Sequence, residues 1–176
     1  MYLPELGQLE KEEENGWYIS PAVSIPALDD DQYCFLIDGM DDDTHPEEFQ
    51  AAISNFLALR RDTLEAVQEQ IFAYYRDCVV QNKAAGRSTV DIATPEAVWQ
   101  HIQFCDEILV CRRQTGDRAV YISLECDCDW EEELGLQLIF KRGQRISKLG
   151  PFDDFLSNAD VYGLPELDSV IYQSKG

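Results

Sequence analysis

The sequence predicts an α+β fold: an antiparallel sheet of about five or six strands with two or three helices packed on one face. Three observations carry that expectation. Apolar residues fall at every second position from Val120 to Cys126 and again at Leu136, Leu138 and Phe140, the period of strands with one buried face. Between residues 46 and 103 the apolar spacing changes to three and four, the period of helices. Turn formers separate the segments, and Arg142-Gly143 sits where a tight hairpin needs positive φ. Alternating strands need cover on one face only, which the helical stripes supply. At 176 residues and 45% hydrophobic composition, the chain is long enough to form one domain, residues 17–176, after an acidic arm, residues 1–16.

In the arm, Leu3, Leu6 and Leu9 recur at three residues, which suits either a short amphipathic turn or a disordered segment. From Trp17 to Pro26 apolar residues alternate, and two prolines that cannot donate to a ladder confine this stretch to a sheet edge. Its partner is Gln32 to Ile37, across a turn at Asp29-Asp30-Asp31. Thr44 with Glu47 reads as a capping box opening a helix whose buried stripe is Phe49, Ala52, Ile53, Phe56 and Leu57. A second stripe, Leu64, Val67, Ile71, Tyr74 and Cys78, makes two helices or one bent one. Thr94-Pro95-Glu96 caps a short third helix. Glu107 to Arg113 and Arg118 to Cys126 then flank a hairpin loop, the meander follows, and the tail after Gly150-Pro151 wraps the core irregularly.

Charge is the outstanding global property. With 34 acidic and 14 basic residues, net −20, the chain repels nucleic-acid phosphates and anionic membranes and suits cationic partners, although carboxylates also serve solubility alone. Residues 1–58 hold fourteen of the acids and one base, Lys11, whereas Lys141, Arg142, Arg145 and Lys148 cluster on the last hairpin. These four bases are expected to lie against acidic surface, within the molecule or in a homo-oligomer. No signal-like start or membrane-length apolar run occurs, so a cytoplasmic location with six free thiols is expected.

The connection between the first two meander strands carries Asp127, Asp129, Trp130, Glu131, Glu132 and Glu133, the best candidate for a partner-binding site. Trp130 serves there either as an exposed recognition aromatic or as a packed anchor, burial being the commoner fate. Cys126 and Cys128 share a strand face, where core packing is simpler than zinc, and the acidic loop lacks the order of an EF-hand. His45 and His101 have no nucleophile arranged beside them, and no P-loop, G-x-G-x-x-G or G-x-S-x-G motif occurs. No catalytic residue, metal or cofactor is therefore assigned.

Three stretches, Tyr74 to Asp77, Leu124 to Leu136 and Ser157 to Gly163, together resemble a family of small bacterial proteins catalogued as a domain of unknown function. Its most specific block is Cys-x-Cys-Asp-Trp-Glu-x-Glu-x-Gly-Leu. The chain departs from that pattern at Leu134, where histidine usually precedes Gly135, and at Asp154-Phe155, where Gly-His is usual. The resemblance implies an accessory or immunity-type protein, and the lost histidines weaken an enzymatic reading. The leading expectation is an acidic, non-enzymatic interaction protein, an immunity-type inhibitor of a basic toxin being one form of it. The alternative is a hydrolase or metal-dependent enzyme using the acidic loop 125–133. A third is a homo-oligomer built through the proline-limited edge or the C-terminal arm.

Overall fold

The computed structural model describes residues 1–29 and 31–174. In chain order the strands are β1 (Tyr2–Leu3), β2 (Gly7–Gln8), β3 (Glu10–Lys11), β4 (Tyr18–Ile19), β5 (Val23–Ser24), β6 (Gln32–Ile37), β7 (Ile102–Arg112), β8 (Val120–Cys128), β9 (Glu131–Lys141) and β10 (Arg145–Gly150). The helices are α1 (Glu47–Leu57), α2 (Arg61–Glu65), α3 (Gln68–Ala84) and α4 (Asn158–Tyr162). β1 and β2 form a small hairpin, and the remaining strands make one open sheet in the order β10-β9-β8-β7-β6-β4-β3, with β5 pairing to β6 off this path. The fold is therefore α+β, with an open, mostly antiparallel sheet.

One pair is parallel. β6 runs alongside β7 with Phe35 opposite Ile108 and Ile37 opposite Val110. The expected sheet was antiparallel throughout, but the chain between β6 and β7 carries α1, α2 and α3, and a helical crossover of this kind is what parallel neighbours require. The helices cover the sheet face formed by Phe35, Ile37, Ile108, Val110, Ile122, Leu124, Leu138 and Phe140, all wholly buried. Phe56 of α1 joins the two ends of that face, its ring edge-on to Phe35 at 6.0 Å and to Phe140 at 4.9 Å.

Several local expectations change. The stretch from Trp17 to Pro26 is broken into β4 and β5, because Pro21 interrupts the ladder; both pieces pair antiparallel with β6. Asp29 takes positive φ in the following turn, whereas Asp30 lies outside the described residues. The Thr44 and Glu47 box is not made: α1 has no side-chain cap, and Asp43 instead accepts from the His45 backbone nitrogen at 2.7 Å. The third helix is a 3-10 turn, Pro95–His101. Residues 1–16 do not hang free, since Leu3, Leu6 and Leu9 are buried in the main core and Glu5 accepts from Ser54 of α1 at 2.8 Å. The Arg142-Gly143 turn has positive φ at both residues, as its hairpin demands.

The C-terminal segment crosses the other face of the sheet. Leu156 packs with Ala119, Tyr121 and Ile139 in a second, small apolar cluster. Beside it Lys148 is 2% exposed, its Nζ donating to Gln137 Oε1 (3.0 Å), Asp153 Oδ1 (2.5 Å) and the Phe155 carbonyl (3.0 Å). Burial lowers the Lys148 pKa against the opposing pull of Asp153. The basic hairpin is thus not one exposed cluster: Lys148 is interior, Lys141 pairs with Asp117 at 2.5 Å, and Arg142 and Arg145 are exposed with no ion pair among the described residues.

Candidate functional site at the acidic end of the sheet

The acid-rich connection is shorter than its sequence suggests. β8 continues to Cys128 and β9 begins at Glu131, so Asp129 and Trp130 alone form the turn. Strand alternation persists to the tip: Cys126, Cys128 and Trp130 are buried at 3, 6 and 2% exposure, while Glu125, Asp127 and Asp129 point to solvent. Thiols and indole go inward, carboxylates outward. Trp130 packs against Tyr74 and Tyr75 of α3 with centroids at 6.3 and 5.9 Å, and Asn82 of α3 donates to its carbonyl at 3.2 Å. An exposed recognition role for Trp130 is excluded in this conformation, because its ring lies beneath the hairpin rather than on it.

Glu131 is half-buried, its carboxylate accepting from the backbone nitrogens of Glu133 (3.0 Å) and Leu134 (3.3 Å). It shapes the start of β9 and leaves Glu132 and Glu133 exposed. Gly135 follows with positive φ, and a Cβ there would run into the carbonyl oxygen of Cys126, so glycine is needed for β8 and β9 to close. Shallow clefts flank the hairpin. One of about 470 Å³ lies between Asn82, Arg87, Ser88 and residues 129–133; one of about 390 Å³ lies toward Gln103 and Asp127.

The structure adds acids that the sequence reading left out. β7 bulges between Phe104 and Ile108, bringing Asp106 and Glu107 beside the outward row of β8, and Asp154 approaches from the C-terminal segment. Although Glu125 is exposed overall, partial desolvation, then Asp154 and Glu107, raise its carboxyl above the ordinary value, and burial followed by Asp127, Glu125 and Asp106 raise the Cys105 thiol. No alternation pattern in the sequence could bring Asp106, Glu107 and Asp154 to Glu125, since the bulge and the crossing segment set that contact. The nearest signal was Asp106-Glu107 beside the start of a strand.

Chemically the face is a spread of carboxylates. Among the described residues no group of three or more His, Cys, Asp or Glu is placed to hold a metal ion. Burial raises Cys126 well above the ordinary thiol value and Cys128 to about 12, so neither is a ready thiolate. His101 Nδ1 lies 2.8 Å from Asp129 Oδ2, a side-chain hydrogen bond at the rim. Replacing Glu125 by glutamine is expected to stabilise the protein only slightly at pH 7, because the ionised carboxylate is the disfavoured form but the exposed side chain is screened by solvent. The raised folded-state pKa means that this penalty disappears as pH falls through it. Urea titrations at pH 7 and pH 4 should therefore show the gain only at the higher pH.

No helix among the described residues is long and apolar enough to cross a membrane. No curated protein and no solved structure matches the chain. The family described as "Domain of unknown function (DUF6985)" matches residues 5–156, most of the chain, and the protein belongs to that family.

Proposed function

We propose that this is a non-enzymatic interaction protein whose acidic sheet end binds a cationic protein partner, with an immunity-type inhibitor of a basic toxin as the form of that role its charge suits best. The observation that carries this reading is that several acids without an ion pair gather at one end of the sheet, although others, such as Glu65, Glu69 and Glu166, lie elsewhere. Asp43 and Glu48 are paired with Arg112, Asp117 with Lys141, Asp153 with Lys148, and Asp160 and Asp168 with Arg113. By contrast Asp106, Glu107, Glu125, Asp127, Glu132, Glu133 and Asp154 have no ion pair among the described residues, and they share one end of the sheet. Arg87 borders the hairpin cleft but makes no ion pair among the described residues, so the face keeps an excess of negative charge that attracts an incoming cationic surface and repels nucleic acid. An enzymatic role would need carboxylates converging in an enclosed cleft; Asp154 and Glu107 do approach Glu125, but Asp127, Glu132 and Glu133 stand exposed on the rim.

The face should act mainly on association. With the tagged chain as bait at low salt, the captured proteins should be basic, and Asp127→Asn with Glu132→Gln and Glu133→Gln should slow their association about tenfold and flatten its salt dependence. Glu131 is left intact because it holds the turn. Unchanged capture and kinetics in the triple variant would remove this face from the partner contact.

A further inference from the structure

We propose that the groove between the outer edge of β10 and α3 is a binding site for an extended peptide of a partner protein, occupied in this structure by the chain's own residues 170–174. This goes beyond the acidic face and does not depend on it. The segment has no regular secondary structure and lies along the outer edge of β10, joined to it by a backbone hydrogen bond. The Leu149 backbone nitrogen, on the outer edge of β10, donates to the Ile171 carbonyl at 2.8 Å. Asn158 steadies the same stretch, its Nδ2 donating to the carbonyls of Val170 (2.7 Å) and Ile171 (3.3 Å). On the other wall, the Tyr172 hydroxyl and Ser174 Oγ each donate to Asp77 Oδ2 of α3 at 2.7 Å. The Tyr172 ring tilts against Tyr74 at 5.8 Å and passes 4.0 Å from where a Cβ on Gly150 would stand.

Two features mark the segment as a removable occupant. Ile171 and Tyr172 pack on the main core yet are only partly buried, and the preceding 3-10 turn, Pro165–Ser169, buries no residue at all. The walls, α3 and β10, lie within the family match, while residues 157–174 lie beyond it. An open sheet edge attracts strands, so a loosely held segment of the chain's own is a natural guard for it. The occupant also states the chemistry the groove accepts: an aliphatic residue followed by an aromatic hydroxyl, in extended conformation. Because the chain's net charge is −20, the partner's segment should carry basic residues after that pair.

A chain ending at Asp168 keeps the contacts of Arg113 to Asp160 and Asp168 and opens the groove. A fluorescein-labelled peptide of residues 169–174 should bind it at least tenfold more tightly than it binds the full chain, measured by fluorescence anisotropy. Ile171→Asp with Tyr172→Ala in the peptide should abolish binding, and Gln173→Lys should strengthen it several-fold. Should the shortened chain not fold, the same pair of substitutions made in the full chain loosens the segment without touching either wall, and the labelled peptide should then bind. A folded variant of either kind that does not take up the peptide overturns the site, and equal binding of Gln173→Lys and Gln173→Glu peptides overturns the basic partner.

Discussion

Replacing Arg113 by methionine is expected to cost on the order of 3 kcal/mol of unfolding free energy at pH 7, about the loss seen when one partner of a buried ion pair is removed. The guanidinium is 4% exposed and forks onto Asp160, with Nε to Oδ2 at 2.7 Å and the second terminal nitrogen to Oδ1 at 2.9 Å. Its remaining terminal nitrogen donates to Asp168 at 2.6 Å. Without it, Asp117, Asp160 and Asp168 are left around an empty site on the outer sheet face and the C-terminal segment loses one of its ties. Asp160 adds a pH signature. Burial alone would raise its pKa, but Arg113 and then Thr115 outweigh that and hold it below the ordinary carboxylate value. A lowered folded-state pKa contributes stability above the unfolded value, near 3.8, that is lost as pH falls through the folded one. The gap between wild type and Arg113→Met should accordingly narrow below about pH 4. Urea unfolding across that range measures it; a loss under about 1 kcal/mol at pH 7 would mean that the clasp holds little.

Trp130→Ala should be as damaging, with about 3 to 5 kcal/mol lost, because it empties the space under the acidic hairpin that Tyr74 and Tyr75 line. Trp130→Phe should cost less, since the indole Nε1 is buried without a hydrogen-bond partner and phenylalanine forfeits contact area but no bond. With Trp17 and Trp99 replaced, acrylamide should quench Trp130 fluorescence only weakly. Strong quenching, or an alanine variant of near wild-type stability, would return the indole to the surface and to the list of partner contacts. The functional consequence of its burial is that affinity at the acidic face must come from charge and from side chains of the partner, because the hairpin offers no exposed aromatic of its own there.

By itself the sequence determined what repeats at short range. The two-residue rhythm from Val120 to Cys126 and the helical stripes of Phe49 to Phe56 and Leu64 to Cys78 report which face of each element is apolar, and the positive-φ pair Arg142-Gly143 reports a turn; each is a property of neighbouring residues. The charge map was equally legible, because it is composition. What only the tertiary structure decided depends on partners far along the chain. Lys148 reads as one of a surface cluster of bases and nothing local distinguishes Arg113, yet both are buried because Asp160, 47 residues after Arg113, and Asp153 come to meet them. The parallel pairing of β6 with β7 follows from where three helices return the chain, which no strand encodes. Cys126, Cys128 and Trp130 lie inward and Glu125, Asp127 and Asp129 outward because β8 continues past the point where its acids suggested a loop. Cross-strand pairing extended the ladder to the tip, and the alternation was already in the residues, but only the partner strand could show that it was in force.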